Sequence, residues 1–579
     1  MRQLRCLLPY LERHRRGLLW GLACLLVTTA FSVASPWVLR YAVDDLTLQV
    51  TRQKLLLYSL TIVALVLIEG VSRYQMRITL IGISREIEYE LRNDLYRHLT
   101  RLSPRYFQAN RTGDLMSRAT NDMSAVRMVL GPGIMYTANT LATFLGTVTL
   151  MLTISPRLLG LALVPLLFVS FAVRYFGRRI HDRFEEVQAQ LSELTALVQE
   201  NLSGARVVRA YVQEPYELAR FEAANQEYVR RNRRLIRMFG SLYPGIQLLM
   251  GGGAALVLWI GGRITVAGTI SLGEFVAFGV YLAMLHWPMI ALGWVVNIFE
   301  RGEASMGRIN AILDAQPEIR DLDPEPVSRI RGDVEFRDLS FAYDGRPVLH
   351  HVSLKVPAGS TVAIVGPTGS GKSTLVNLIP RLYEAPPGTV LVDGHDVRRL
   401  PLAVLRGAIG FVPQETFLFS DSVAENVAFG VAAGDGAGRV EWAAELAQLT
   451  KDVRDFRSGF GTFVGERGIT LSGGQKQRTA LARALAPDPP ILVLDDALSS
   501  VDTETEEQIL KGLRQAMRAR TTFLVSHRVS TVKEADLIVV LRDGRIVERG
   551  RHEELVAQAG FYAELHRRQL LEQEMETAE

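Results

Sequence analysis

Val365-Gly366-Pro367-Thr368-Gly369-Ser370-Gly371-Lys372-Ser373-Thr374 fits G-x-x-x-x-G-K-[ST], the pattern of a phosphate-binding loop. The preceding residues, Thr361 to Val365, are β-branched and apolar and read as a buried strand. Those after it, Thr374 to Ile379, read as a helix start. A glycine-rich turn at such a junction points successive backbone N–H groups at an anion, and the positive end of the helix dipole reinforces them. Lys372 would reach the β- and γ-phosphates of a nucleotide, and the Ser373 hydroxyl would ligate Mg²⁺.

Further candidates lie downstream. Ile491-Leu492-Val493-Leu494-Asp495 is an apolar strand ending in an acid, which places a carboxylate at the carboxyl edge of a sheet, where Mg²⁺ would sit beside Ser373. Leu471-Ser472-Gly473-Gly474-Gln475 precedes the helix-like run Lys476 to Leu485 and makes a second anion-binding helix start. One γ-phosphate does not need two such sites from one chain, so each is expected to cap the nucleotide of a neighbouring copy. Tyr343, at the end of the strand Val334 to Tyr343, can stack on adenine. Gln414, in Val412-Pro413-Gln414, can contact Mg²⁺ or the attacking water. His527, after another apolar strand, can hydrogen-bond the γ-phosphate. Taken singly, these last three residues fit packing or structural roles equally well.

The elements that position these residues occupy only the second half of the 579 residues. Mean hydropathy is +0.13, an average over two unlike halves. Apolar runs at 17–39, 55–83, 128–156, 158–176, 238–262 and 275–299 read as six membrane spans. The arginines Arg2, Arg5, Arg13, Arg15 and Arg16 place the start of the chain on the cytoplasmic side, and an even span count returns the second half there. The first run reads as an anchor, not a cleaved leader. The connections Arg85 to Arg127 and Arg174 to Arg237 carry charge at helical spacing and read as spanning helices prolonged into the cytoplasm. Each is interrupted once, at Arg105–Asp114 and at Tyr211–Tyr216. Within the spans, Glu69 and Arg73 are one turn apart and can pair. His286 is an intramembrane ionisable group, and Gly251-Gly252-Gly253 permits close packing or bending. Net charge is +4 with no concentrated basic tract, which argues against nucleic acid as a partner. Only Cys6 and Cys24 are present, too few for a disulfide framework.

On these motifs and their order, residues 1–579 resemble a half-transporter of the ATP-binding cassette (ABC) exporter family. The resemblance implies a six-helix α transmembrane domain of the type I exporter (type IV ABC transporter) fold, residues 1–310. A linker, 311–332, and an α/β P-loop ABC nucleotide-binding domain, 333–579, follow. It implies ATP and Mg²⁺ as ligands. The ATP contacts are Tyr343, Gly366, Pro367, Thr368, Gly369, Ser370, Gly371, Lys372, Ser373 and Thr374, with Ser472, Gly473, Gly474 and Gln475 as the signature. Ser373, Gln414 and Asp495 would hold the metal. Gln414 becomes the coupling glutamine, His527 the switch histidine, and Ser499-Ser500-Val501-Asp502 the dimer-interface loop. Gly465-Glu466-Arg467-Gly468 becomes the loop that touches the partner's cytoplasmic helices, and the two interruptions become coupling helices.

One position departs from the family pattern. Where the family has Asp-Glu, with the glutamate polarising the attacking water, this chain has Asp495-Asp496. Asp496 is one methylene short at the catalytic-base position. That substitution resembles the subunit carrying the weakened site in heterodimeric bacterial drug exporters. The expectation is therefore ATP-driven export of hydrophobic or amphipathic compounds across the cytoplasmic membrane by a dimer with a homologous half-transporter. Membrane lipid and a hydrophobic small molecule are the other partners. The competing readings are a homodimeric lipid or peptide exporter and a non-transporting ATP-gated membrane regulator.

Overall fold

The computed structural model describes residues 2–431, 436–498, 503–517 and 519–578. They form two compact units, one comprising Met1–Thr100 with Thr112–Ala315, the other Arg101–Arg111 with Gln316–Glu579.

The first unit is helical throughout. Its long helices are α1 (Arg15–Leu48), α2 (Arg52–Leu99), α3 (Thr112–Ile154), α4 (Pro156–Ser203), α5 (Glu214–Val266) and α6 (Leu272–Leu313). Among the described residues, α1, α2, α3, α5 and α6 are long and apolar enough to cross a membrane, whereas in α4 only Pro156–Pro165 is a comparably apolar helix, and a short one. The 48 residues of α2 extend roughly 70 Å at 1.5 Å per residue, more than twice the hydrocarbon core. Ser155 starts α4 by accepting a hydrogen bond from the Leu158 N–H at 3.4 Å, so α3 and α4 join in a tight turn.

Small residues let these helices approach. A Cβ on Gly21 would lie 2.6 Å from Leu80 Cδ2, which is the close contact that glycine permits between membrane helices. Of the three consecutive glycines in α5 only Gly253 is used this way, with Pro165 Cγ 3.0 Å from where its Cβ would be. Glu69 and Arg73 pair along α2. α6 is interrupted at Leu285, immediately before His286. α3 contains two π-helical turns, Arg118–Asp122 and Val129–Gly133, which shift the facing of its side chains. At the end of the first, Asp122 accepts hydrogen bonds from Ser305 Oγ (2.9 Å) and Arg308 Nε (2.8 Å) on α6.

Both expected interruptions exist, one of them displaced. The first is the short helix Pro104–Ala109. It belongs to the second unit, where Arg105 pairs with Glu318 at 2.8 Å and Gln108 Nε2 donates to Tyr383 Oη at 2.8 Å. The second breaks at Gly204, continues as the helix Ala205–Ala210, and turns at Tyr211–Gln213. The expected segment Tyr211–Tyr216 therefore covers the exit from the cross-piece, not the cross-piece itself. Pro215 sits in the first turn of α5, where its missing N–H costs nothing.

The second unit is α/β. Strands β1 (Val334–Tyr343), β2 (Arg346–Val356), β4 (Val390–Val392) and β5 (His395–Asp396) form an antiparallel sheet in the order β2-β1-β4-β5. The β1–β2 turn is Asp344-Gly345, both at positive φ (48° and 79°), the Asp-Gly solution for a two-residue hairpin. The larger sheet has the order β10-β9-β3-β8-β7-β6, with β3 (Thr361–Val365), β6 (Ile409–Val412), β7 (Ile491–Asp495), β8 (Thr521–Val525), β9 (Leu537–Arg542) and β10 (Arg545–Gly550). β7 and β8 are buried along their whole length and β3 beyond its first residue, as parallel strands covered on both faces must be. The registers Ile364↔Val525 and Asp495↔Val525 end β3, β8 and β7 at one level. The residues that follow all three strands therefore emerge together at the carboxyl edge. The segment before β1 is irregular but held to this unit: Glu325 pairs with Arg399 at 3.1 Å, and Asp321 accepts from the Leu402 N–H at 3.0 Å.

Candidate functional site: a nucleotide cleft and a separate helix start

The turn between β3 and the helix α7 (Lys372–Asn377) requires glycine at defined points. Gly366, Gly369 and Gly371 have φ of 153°, 81° and 97°. A Cβ on Gly366 would fall 2.0 Å from Leu541 O, and one on Gly371 2.8 Å from Leu349 Cδ2. The backbone thus curls where side chains cannot fit and leaves its N–H groups facing a cleft of about 340 Å³. Gly366, Thr368, Gly369, Gly371, Lys372, Ser373, Thr374, Gln414, Asp495, Asp496 and His527 line that cleft, so three strand ends and the loop after β6 supply one site.

Its electrostatics fit a nucleotide phosphate with a divalent cation. Lys372 Nζ donates to the carbonyls of Gly366 (2.9 Å) and Pro367 (2.8 Å), and burial lowers its pKa below the ordinary lysine value. Ser373 Oγ donates to Asp495 Oδ1 at 3.1 Å. Burial, with Asp496 nearby, raises the Asp495 carboxyl above the usual carboxylate range, although the Ser373 hydrogen bond opposes this. Ser370 Oγ is buried and has no hydrogen-bond partner. A half-buried cation and a buried carboxylate that line one cleft are what phosphate oxygens and Mg²⁺ would satisfy. Those chain groups fit both ligands.

Asp496 has φ 52°, a left-handed conformation that aspartate tolerates better than most residues. Its Oδ1 lies 3.0 Å from His527 Nδ1, so the expected base position and the expected switch histidine touch. Tyr343, outside the cleft lining, packs edge-on against Tyr383 and Phe341 with ring centroids 5.0 Å away in each case. Burial raises its phenol pKa.

The Ser472 segment is not part of this cleft. Ser472 N-caps α8 (Gly473–Leu485) in a reciprocal capping box with Gln475, at 3.3 and 3.0 Å. Ser472 and Gly473 are exposed. The helix is held from behind by a two-pronged Arg478–Asp452 pair, 2.8 Å at each contact, with side chains 12 % and 15 % exposed. The Gly465–Gly468 turn precedes it as a short 3₁₀ turn with Arg467 at φ 50°. The expected loop Ser499-Ser500-Val501-Asp502 lies outside the described residues.

Comparison with known proteins agrees with this architecture. Residues 18–289 match the ABC transporter transmembrane region, and residues 349–499 match the ABC transporter ATPase family. The chain is 38 % identical to the probable multidrug resistance ABC transporter ATP-binding/permease protein YheI of Bacillus subtilis, over 95 % of each chain. It is 36 % identical to the multidrug resistance-like ATP-binding protein MdlA of Escherichia coli, over 98 % of this chain and 97 % of that one. A solved bacterial Atm1-family ABC exporter with ATP bound superposes with a TM-score of 0.78 at 30 % identity, covering 96 % and 98 % of the two chains.

The chain is an ABC exporter half-transporter of the multidrug-resistance-like group. It is a multi-pass protein of the cytoplasmic membrane with a cytoplasmic ATPase domain, and it couples ATP hydrolysis to export. Motif reading of this exporter located the phosphate loop, Gln414, Asp495, Asp496 and His527 but missed the side chains that hold them. Tyr383 beside Tyr343, the Asp496–His527 contact and the Arg478–Asp452 brace carry no spacing rule. Only the aromatic identity of Tyr383, shortly after the phosphate loop, gave a sequence signal.

Proposed function

We propose that this half-transporter exports hydrophobic or amphipathic compounds, drug-like or lipid-like, as one half of a heterodimer with a homologous half-transporter. The reading is supported by relatives named for multidrug resistance and, for a lipid-like cargo, by the 35 % identical ATP-dependent lipid A-core flippase of Syntrophus aciditrophicus. Residues 1–310 form the membrane domain, with α4 as the remaining member of six spans; 311–332 are the linker and 333–579 the ATPase. Tyr343 and residues 366–374 bind ATP. Ser373, Gln414 and Asp495 hold Mg²⁺, which neutralises charge between the β- and γ-phosphates when bound. Asp496 is the weakened base and His527 the γ-phosphate contact. Ser472, Gly473, Gly474 and Gln475 complete the partner's site.

One observation carries the two-chain reading. The Ser472 helix start is exposed and excluded from the cleft that contains Lys372, and its capping box engages the Ser472 and Gln475 N–H groups, which leaves those of Gly473 and Gly474 for a nucleotide bound elsewhere. The experiment is ATP-dependent uptake of a hydrophobic dye by inside-out membrane vesicles containing the assembled transporter. Lys372→Ala should abolish accumulation. Accumulation that survives Lys372→Ala, or ATP hydrolysis without any vectorial uptake, would sink the transport assignment in favour of an ATP-gated regulator. Cysteines placed at Thr47 and Thr269 should react with an impermeant thiol reagent outside intact cells, and one at Glu214 should not. External labelling at Glu214 would overturn the six-span count.

A further inference from the structure

The segment carrying His527 is fastened by a residue far along the chain. Gln569 lies on α9 (Phe561–Ala578). Its Nε2 donates to the His527 carbonyl at 2.6 Å, and its Oε1 accepts from the Val529 N–H at 2.8 Å. A backbone carbonyl only accepts and an amide N–H only donates, so the orientation of the Gln569 amide is fixed. Val529 begins the short helix Val529–Val532, whose N-cap Arg528 provides no side-chain cap. Gln569 therefore satisfies an otherwise open first-turn donor while gripping the residue two positions earlier. The same loop is held on another side by Glu506, 2 % exposed, which takes the Arg528 guanidinium and the Thr531 hydroxyl.

α9 is itself anchored. Glu548 on β10 accepts the N–H groups of Phe561 (2.6 Å) and Tyr562 (3.2 Å) at the helix start. Tyr562 is fully buried and its hydroxyl meets His552 Nδ1 at 2.8 Å. From Tyr562 to Gln569 the helix rises roughly 10 Å, a strut from the far edge of the sheet to the loop beside the nucleotide cleft. The His527 ring faces Asp496 from that loop.

We propose that Gln569 is a positioning residue for the ATPase reaction: its amide clamps the backbone on both sides of Arg528 and so fixes the aim of the His527 imidazole. This rests on the reading of His527 as a γ-phosphate contact. Gln569 touches neither nucleotide nor reacting atoms, and it acts through His527 alone.

The test uses the full-length chain in nanodiscs, in the assembly it forms, and reads its own site. 8-Azido-ATP is photocross-linked to this chain, and the fraction recovered as ADP is followed in time. Gln569→Met keeps the length of the side chain and removes both hydrogen-bonding groups. It should slow this hydrolysis by about three- to tenfold while leaving the amount of cross-linked nucleotide unchanged. His527→Ala should slow it at least as much, and His527→Ala with Gln569→Met should be no slower than His527→Ala alone. Hydrogen exchange at the Val529 amide should rise in Gln569→Met without a change in melting temperature. Unchanged hydrolysis in Gln569→Met beside a slowed His527→Ala would overturn the inference and leave the role of His527 standing. So would losses that multiply in the double variant, or a fall in nucleotide binding. If His527→Ala itself has no effect, the role of His527 fails and this inference with it.

Discussion

The phosphate loop and the Ser472 segment are both Ser/Gly-rich turns that open a helix, yet their surroundings differ in kind. Around the first, the chain assembles a half-buried lysine, a buried carboxylate and, from beyond the ends of neighbouring strands, Gln414, Asp496 and His527. Around the second it supplies a capping box and a rear brace, with the front left open to solvent. Positive backbone dipole is common to both, but charge compensation and Mg²⁺ ligands are present only at the first. The difference teaches that a helix N-terminus is not by itself a complete catalytic site. The proposed function assigns the two helix starts of this half-transporter to two different nucleotides.

The largest expected effect breaks that division directly. If the Ser472 surface serves the partner's nucleotide, Ser472→Arg should nearly abolish steady-state ATP hydrolysis by the assembled dimer. Asp496→Asn, which cripples only the chain's own base position, should leave most of it. With Asp496 as the proposed base, the missing methylene would correspond to a handicap of about 2–3 kcal/mol, or on the order of a hundredfold in rate. Brisk hydrolysis by this chain without another subunit, lost on Asp496→Asn, would mean that aspartate suffices and that the heterodimer is unnecessary.

A smaller effect should follow from loosening the brace. Asp452 takes both prongs of Arg478 and a weaker hydrogen bond from Gln475 Nε2 at 3.4 Å, while Gln475 Oε1 accepts the Ser472 N–H. Arg478→Ala leaves the largely buried Asp452 carboxylate without its cation, a loss of about 2–3 kcal/mol at this degree of burial. The melting temperature of the transporter should fall by several degrees, and turnover at the partner's site should drop, while 8-azido-ATP labelling of this chain stays constant. An equal loss of labelling would show that the two helix starts are not independent.

How much of this was legible in sequence follows from what each feature demands. The phosphate loop was readable because its backbone cannot form without glycine at Gly366 and Gly371, where any Cβ would collide. The strand before it was readable because a doubly covered parallel strand is an unbroken apolar run. The second cross-piece was misplaced because Pro215 is a conspicuous breaker, whereas the structural break comes at Gly204, inside a run of good helix formers. The expected count of six spans meets five helices long and apolar enough among the described residues, because α4 is comparably apolar only over Pro156–Pro165 and then runs on as one helix into charged sequence. Gln569 was illegible altogether: a polar residue on a charged terminal helix looks solvent-facing until the loop it grips is seen.

The smallest effect concerns the phosphate loop without ligand. Lys372 has a pKa lowered by burial. A base whose folded pKa is depressed contributes stability that is fully present above its unfolded value, near 10.5, and lost as pH falls through the lowered one. Holding that cation therefore costs the ligand-free site stability as pH falls. Asp495 is the mirror case: with its folded pKa raised, its contribution is fully present below the unfolded value near 3.8 and lost as pH rises through the folded one. ATP with Mg²⁺, bound as proposed, would relieve both costs, phosphate oxygens pairing the lysine and the metal pairing the carboxylate. Lys372→Met should thus leave the nucleotide-free melting temperature at pH 7.5 unchanged or slightly higher, and should erase most of the upward shift that Mg²⁺-ATP gives the native protein. The Ser472 surface, which buries no charge of its own at the front, should behave oppositely: Ser472→Ala should lower the nucleotide-free melting temperature slightly through loss of the cap and leave the ATP-induced shift at the chain's own site intact. A clear drop in the nucleotide-free melting temperature of Lys372→Met would show that the two carbonyl hydrogen bonds of Lys372 outweigh the cost of its burial.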